Sequence, residues 1–336
     1  MLLRQDANFS HPNSTSHSSE DKGFHVQTQL PLLILAVIIV ILNGTIVGLF
    51  VKKRSLRSFT NYFLVSLAIS DLLTAFLAIP FFISCNATEK TEICTASNQF
   101  FVFTTLSTIC HIAAITADRY IAILKSLRYQ ELVTKKRVQL VTATIWLYCS
   151  FMTVIQLSWT VSSEESLNDI PDEDYQKKDL VYTIMFVILG VIPIPFMVLA
   201  YCRIFVQILR QNSLTRQHNR LVERGDKKIW TFELRTVSMF VLMLLAYVFC
   251  LLPNAALRLE LNINGTLDRI PMYVLHIIVY LYFMTSFLNP CFYGLGKHDL
   301  RCALSELFAK TFAQRRQMKQ NMNVSYRTGC DSALIL

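Results

Sequence analysis

Seven separate apolar stretches constrain this chain more than any other feature of its sequence. Each is long enough to form a helix of about 20 residues, the length that spans a hydrocarbon layer of ~30 Å. With 53% hydrophobic and 16% charged residues, the chain is also too apolar for a soluble domain of 336 residues. The sequence therefore predicts an all-α membrane protein, a bundle of seven transmembrane helices. The stretches lie near residues 29–52, 60–84, 97–122, 138–161, 181–207, 234–258 and 272–295.

The distribution of basic residues predicts how the bundle is oriented. Only seven of the 32 lysine and arginine residues fall before the first stretch or in the turns on the same side as the amino terminus. Because basic residues gather on the cytoplasmic side, the amino terminus is predicted to be extracellular, in a multi-pass protein of the plasma membrane. The formal net charge of +9 then belongs to the inner face. We therefore expect no nucleic-acid binding.

Polarity divides the chain into four predicted segments. An amphipathic pattern in the third of them predicts a helix on the inner leaflet, with Lys297 and Arg301 near anionic lipid. The segments are a disordered extracellular tail at 1–28, the seven-helix transmembrane domain at 29–295, the amphipathic surface helix at 296–311 and a flexible cytoplasmic tail at 312–336.

The predicted outer segments carry acidic residues and glycan acceptors. The connection at 162–179 holds seven carboxylates and two lysines. It is either a solvated loop or a surface that attracts cationic ligands, and the sequence leaves both open. Four Asn-X-Ser/Thr triplets are predicted glycosylation sites. They begin at Asn8, Asn13, Asn86 and Asn264.

Several motifs agree in their spacing. Asp118-Arg119-Tyr120 ends the third stretch, and Asn289-Pro290-Cys291-Phe292-Tyr293 ends the seventh. With them the chain resembles a rhodopsin-like (class A) G protein-coupled receptor over roughly residues 29–311. The other positions that match the family pattern are Asn43, Leu67-Ala68 with Asp71, Cys94, Trp146, Pro193, Tyr201 and Pro253.

The resemblance implies a two-state switch at the inner end of the bundle. It implies that Arg119 pairs at rest with Asp118 and with Glu233, which lies about 30 Å along the sixth helix from Pro253. Breaking the second pair lets the sixth helix swing outward and opens a crevice for a heterotrimeric G protein. The resemblance also implies that Tyr201 and Tyr293 line the opened crevice.

Asp71 lies in the middle of the second stretch, where a carboxylate is costly unless it is paired or hydrated. The sequence predicts an ion or water network around it, and the alternative is a neutral, protonated aspartate that only hydrogen-bonds. By resemblance this is a sodium and water pocket, and sodium is the only cofactor expected. Its predicted polar partners are Asn43, Thr108, Ser286 and Asn289.

The predicted ligand pocket is aromatic. Phe101 stands five turns before Arg119, where receptors for biogenic amines carry an aspartate, so we expect a ligand that is not a biogenic amine. The seventh stretch has no lysine for a retinal Schiff base, and Phe283 occupies that position. Arg258 favours an anionic ligand, whereas the acidic loop favours a cation. The candidate ligand-binding residues are Phe101, Asn254, Arg258, His276 and Tyr280.

The chain departs from the family pattern at two places that bear on its function. Leu251 stands where a tryptophan floors the pocket in most members, so ligand sensing or basal activity is expected to differ. The loop after the fourth stretch lacks the cysteine that ordinarily pairs with Cys94. Cys85 is the one other cysteine predicted outside, and a Cys85–Cys94 bridge is one of two open alternatives.

These features favour a receptor that converts binding of an extracellular ligand into G protein activation. No catalytic nucleophile with its base, metal cluster or phosphate-binding loop is apparent, so we do not expect an enzyme. Two alternatives remain. One is a seven-helix protein that binds partners without signalling, and the other is a channel or transporter, which would need a polar lining or paired broken helices.

Overall fold

The computed structural model describes residues 26–164, 173–218, 223–264, 267, 269–307 and 309, apart from the side chains at 26, 27, 159–164, 173–175, 212, 214–218, 223–233 and 295. In this part of the chain every regular element is helical. Seven helices are long and apolar enough to cross a membrane, as the sequence predicts. They are α1 (Val26–Lys52), α2 (Phe59–Thr88), α3 (Thr91–Leu124), α4 (Lys135–Glu164), α5 (Glu173–Val191 continued by Pro193–His218), α6 (Glu223–Asn264) and α7 (Met272–Gly296).

Three short helical turns connect spanning helices on one side of the bundle, and a further helix follows α7 on the same side. One turn links α1 to α2 at Arg54–Leu56, and two more, Ser126–Arg128 and Tyr129–Leu132, link α3 to α4. Residues 298–307 form a helix, α8, directly after α7. The surface helix predicted at 296–311 is therefore present over its described residues. The tails at 1–25 and 310–336 lie outside the described part.

Helix α3 lies at the centre of the bundle and packs against α2, α4, α5 and α6, while α7 packs against α6, α1 and α2. Apolar side chains on the outer helices point away from this core. Such an apolar exterior suits a hydrocarbon solvent. Examples are Ile34, Val37, Ile41, Leu147, Phe151 and Phe196.

Helix α2 contains a π turn at Thr74–Ala78. Pro80 follows it closely, and a proline inside a helix has no N–H to donate and its ring crowds the carbonyl four residues earlier. A local switch to i→i+5 bonding is one way to accommodate such a disturbance. The turn lies just outward of Asp71, so it separates the inner half of α2 from the half that borders the ligand pocket.

A group of hydrogen-bonded polar side chains around Ser66 joins α2, α3 and α4. His111 Nδ1 donates to the Ser107 carbonyl at 2.7 Å, so its Nε2 accepts from the Ser66 hydroxyl at 2.8 Å. Trp146 Nε1 donates to the same hydroxyl at 2.9 Å. A buried hydroxyl that serves both partners fixes the rotation of all three helices, because each lost bond leaves a polar group unsatisfied in the core.

Candidate functional site

The inner end of α3 carries the predicted ion pair. Arg119 Nη2 lies 2.8 Å from Asp118 Oδ2, and the Asp118 side chain is only 2% exposed. Asp118 also accepts from Thr60 of α2 at 2.6 Å and from the Tyr129 hydroxyl at 2.8 Å. Arg119 donates to Thr60 in addition. These bonds hold the arginine against α2.

Tyr129 closes this cluster from the loop between α3 and α4. Burial and the negative charge of Asp118 raise the pKa of its hydroxyl, which stays protonated and donates to the carboxylate. Sequence reasoning missed both Thr60 and Tyr129, because neither type of side chain signals a function on its own. Their contact with Asp118 becomes apparent only in the folded structure, where α2 packs beside α3 and the loop after α3 turns back.

The remaining predicted switch residues have different outcomes. Glu233 lies in α6, but its side chain is outside the described residues, so its pairing with Arg119 stays a prediction. The Tyr201 hydroxyl bonds to Thr116 of α3 at 2.7 Å. Tyr293 is fully buried and donates to Asn43 at 3.3 Å. Tyr120 packs half-buried against the main apolar core.

Lys297 corrects a sequence expectation. It was predicted to face anionic lipid, but it is buried, with its ammonium group donating to Asn61 of α2 and lying 3.9 Å from Asp299. Asn61 Nδ2 also donates to Asp299 at 2.9 Å. Because α8 folds back under the bundle, the first residue after α7 is covered by α2. The three side chains join α8 to the inner end of α2.

The buried Lys297 makes stability depend on pH. Burial lowers its pKa to about 8 from an ordinary 10.5. Between those values the unfolded chain binds more protons than the folded one, so the free energy of unfolding rises with pH. We expect the free energy of unfolding of the wild type to rise with pH over this window by about 1 kcal/mol per pH unit more than that of Lys297→Met. The measurement is the thermal midpoint of both proteins in detergent as a function of pH. Lys52→Met, at an exposed site, is the control, and parallel curves for wild type and Lys297→Met would contradict this.

A buried polar network lies at mid-membrane. Asp71 is 1% exposed, and its carboxylate accepts from Asn289 Nδ2 at 3.2 and 3.4 Å and from the Ser286 side chain. Asn43 donates to the Ser286 backbone carbonyl at 3.1 Å. Thr108 donates to a carbonyl of its own helix at 2.9 Å. Asn289 and Ser286 thus contact Asp71, and Asn43 is linked to it through Ser286, whereas the described hydrogen bonds do not join Thr108 to Asp71.

An aromatic pair lies in the outer half of the bundle, where the ligand pocket is predicted. Phe101 of α3 stacks on Tyr282 of α7 with ring centroids 4.0 Å apart, and Tyr282 meets Phe283 edge-on at 4.8 Å. The Arg258 guanidinium lies 5.6 Å from the centre of the Phe101 ring and the same distance from that of Phe186 on α5. Phe101 and Arg258, both predicted to line the pocket, are therefore in contact.

The other predicted pocket residues are placed differently. Asn254 lies one turn inward of Arg258 on α6 and is 1% exposed. Tyr280 donates its hydroxyl to the backbone carbonyl of Thr28 in α1, so it braces α1 against α7. His276 is half-buried one turn farther out on α7. Tyr282, which the sequence did not single out, stacks on Phe101.

Two of the departures from the family pattern have visible structural consequences. Leu251 is buried in the main core, where it fills less volume than a tryptophan. Tyr247, four residues before Leu251 on α6, donates its hydroxyl to the Gly190 carbonyl of α5 at 3.2 Å and so joins α6 to α5. The predicted Cys85–Cys94 disulfide is present and ties the outer end of α2 to the start of α3.

The glycan acceptors stay predictions. Asn86 is half-buried near the outer end of α2, and Asn264 is exposed at the end of α6, with its side chain donating to Glu260 at 2.6 Å. Asn8 and Asn13 lie outside the described residues.

Comparison with known proteins decides the family. A family described as 7 transmembrane receptor (rhodopsin family) matches residues 42–293. The chain belongs to this family. As a rhodopsin-family receptor it is a multi-pass protein of the plasma membrane, it belongs to a family whose members couple to G proteins, and it is not an enzyme.

Individual receptors match over most of the chain. The histamine H2 receptor of Canis lupus familiaris is 29% identical over 305 residues, covering 86% of this chain and 83% of the relative. The octopamine receptor beta-2R of Chilo suppressalis is 26% identical, covering 84% and 79%. The adenosine receptor A2b of Gallus gallus is 25% identical, covering 83% and 87%. Since two of these receptors are named for amines, the relatives do not support our expectation that an amine ligand is excluded.

Proposed function

We propose that this rhodopsin-family receptor has its amino terminus outside the cell and binds an extracellular ligand between α3, α5, α6 and α7. Ligand binding shifts a two-state bundle towards a form whose inner end activates a heterotrimeric G protein. The excess of basic residues on the opposite side from the amino terminus supports this orientation.

The observation that carries the proposal is the state of Arg119. Its guanidinium is held by Asp118 of its own helix and by Thr60 of α2. Tyr201 and Tyr293 are also bonded elsewhere, to Thr116 and Asn43. Three polar side chains at the inner end are thus satisfied within the bundle, as expected for a resting state that opening would have to break.

Sodium binding at Asp71 is part of the proposal. A hard cation prefers oxygen ligands, and the Asp71 carboxylate and Ser286 hydroxyl supply them within the buried network. Sodium would supply positive charge next to a carboxylate that hydrocarbon otherwise disfavours. Asn289 donates to the same carboxylate, so it orients Asp71 from α7 whether or not the ion is bound.

The test is G protein activation by the unliganded receptor in cells, across a panel of G proteins. We expect Glu233→Ala to raise the output, because it removes the proposed pair that holds α6, and Arg119→Ala to abolish it. Arg269→Ala, an exposed arginine at the outer end, is the control for expression and charge. Equal output from wild type and both variants, at matched surface levels, would contradict the switch.

One observation keeps a second candidate open. Leu251 replaces the usual tryptophan beneath the pocket, which is the kind of change that could uncouple ligand binding from the inner end. A seven-helix protein that binds partners without signalling would be silent in the assay above, including with Glu233→Ala. A channel or transporter would instead carry a current or take up solute, and both are measured in the same cells.

A further inference from the structure

Two free thiols meet between α3 and α4. The side chains of Cys110 on α3 and Cys149 on α4 share a hydrogen bond. Cys149 is 0% exposed and belongs to an apolar group formed by α3, α4 and α5, and Cys110 packs against the same group. Six cysteines in the described part of the chain are free. These two form a pair of thiols that links neighbouring helices.

Neighbouring hydrogen bonds hold the two thiols towards each other. His111, the residue after Cys110, bonds to the Ser66 hydroxyl, and Trp146, about one turn before Cys149, bonds to the same hydroxyl. These bonds fix the rotation of both helices, so the sulfur atoms stay close together. A disulfide forms when two sulfur atoms approach to about 2 Å, and thiols already in contact can reach that distance by rotation about their Cα–Cβ bonds.

The pair of thiols borders the hydrocarbon layer. Cys110 is half-buried, whereas Cys149 is fully buried. The exterior of α4 at this level is apolar, with Leu147 72% and Phe151 62% exposed on either side of Cys149. Tyr148, which is half-buried, lies beside both thiols. A reagent that reaches Cys110 therefore comes from the lipid, where polar oxidants dissolve poorly.

We propose that Cys110 and Cys149 form an oxidation site for lipid hydroperoxides. The Cys110 sulfur attacks the terminal peroxide oxygen, the O–O bond breaks, and the thiol hydrogen leaves with the lipid alkoxide as an alcohol. The Cys149 sulfur then attacks the sulfur of the resulting sulfenic acid. An S–S bond forms, the S–O bond breaks, and the hydroxyl group takes the Cys149 hydrogen and leaves as water. In total, two thiols and one hydroperoxide give one disulfide, one lipid alcohol and one water.

The two cysteines have different roles because they differ in burial. Cys110 is the thiol that the lipid reaches, so it is oxidised first. Cys149 is covered but lies within hydrogen-bonding distance, so it converts the sulfenic acid to a disulfide. The product joins α3, the central helix of the bundle, to α4. Because a cross-link restricts the unfolded chain, we expect the oxidised receptor to have a thermal midpoint about 5 °C higher than the reduced one.

The test uses the purified full-length receptor in phospholipid nanodiscs that contain a phosphatidylcholine hydroperoxide. Control discs contain the corresponding hydroxy lipid. Linked peptides are mapped by mass spectrometry without reduction, and the thermal midpoint is measured on the same samples. Cys250→Ser, which removes another buried free cysteine from α6, is the control variant. These measurements need neither a ligand nor a G protein, so their result does not depend on the proposed signalling function.

We expect the hydroperoxide to link Cys110 to Cys149 in most molecules of the wild type and of Cys250→Ser. Cys149→Ser should instead accumulate a sulfenic acid at Cys110, which dimedone traps, and Cys110→Ser should leave Cys149 reduced. The thermal midpoints in control discs show whether each variant is folded. Absence of the linked peptide in the folded wild type, or an unmodified Cys110 in folded Cys149→Ser, would overturn the proposal. Equal linkage in control discs, with or without hydrogen peroxide, would overturn the assignment to a lipid oxidant.

Discussion

Replacement of Gly296 by alanine should raise the G protein output of the unliganded receptor about tenfold, which corresponds to ~1.4 kcal/mol in the equilibrium between closed and open bundles. Gly296 is the last residue of α7 and lies against the inner half of α6. A Cβ atom there would be 2.6 Å from Met239 Cβ and 2.8 Å from its Cγ and Sδ. Relief of this overlap requires α6 and α7 to separate, which is the movement that we propose opens the inner crevice.

The overlap can be removed in steps. Met239→Ala takes away Cγ and Sδ but keeps Cβ, so it should lower the output of Gly296→Ala only in part. Met239→Gly removes all three atoms, so the double variant Gly296→Ala/Met239→Gly should have an output close to that of Met239→Gly alone. Gly48→Ala is the matched control, because no atom lies within 4 Å of a Cβ built there. Basal output of Gly296→Ala equal to that of Gly48→Ala, at equal surface levels, would show that this contact does not hold α6.

Replacement of Asp118 by asparagine should also raise basal output about tenfold or more. The buried carboxylate receives bonds from Arg119, Thr60 and Tyr129. Each hydrogen bond to a charged group contributes roughly 1.5–3 kcal/mol, and asparagine offers one oxygen and an NH₂ group that faces the same donors. Arg119 then loses its ionic partner on α3, which weakens the resting arrangement of the inner end.

Two further variants separate this effect from general damage. Tyr129→Phe removes one of the donors and leaves the ion pair, so it should raise basal output by a smaller factor. Glu131→Gln changes an acidic side chain in the same loop, where its pair with Arg128 is solvent-exposed, and should have no effect. If Asp118→Asn reaches the cell surface normally and its basal output stays at the wild-type level, then Asp118 does not restrain Arg119 in the resting state.

The seven helices could be predicted because the thickness of the hydrocarbon layer fixes the length of an apolar stretch. The helix ends could not. Helix α6 was predicted at 234–258 but runs from Glu223 to Asn264. A helix can continue into water because its backbone hydrogen bonds do not depend on apolar side chains. The length of the apolar stretch therefore indicates the part of the helix inside the membrane, and it does not indicate where the helix ends.

The candidate site was predictable where a single residue is informative and not where a partner is needed. Arg258 and Phe101 could be singled out because a charged side chain and an aromatic ring near the outer end of a spanning helix are typical of a ligand-binding site. Asn98 and Gln156 are ordinary polar residues near helix ends, and their meaning comes from contact across α3, α4 and α5. Tyr280 was named as a candidate and Tyr282 was not, because the sequence does not fix the rotation of α7, and two residues along a helix point to different sides.

The π turn in α2 decides how positions on its outer half correspond to those of any receptor whose second helix is regular. A turn with i→i+5 bonding holds one residue more than a regular turn, and one residue is about 100° of rotation. Outward of Thr74, Phe81 meets Phe100 of α3 and Phe82 meets Phe283 of α7. If residues are matched one by one with a relative whose second helix is regular, Phe81 and Phe82 are therefore each assigned the role of the adjacent position. Mutational results for the ligand pockets of the two receptors should be compared only after a shift of one position in this part of α2.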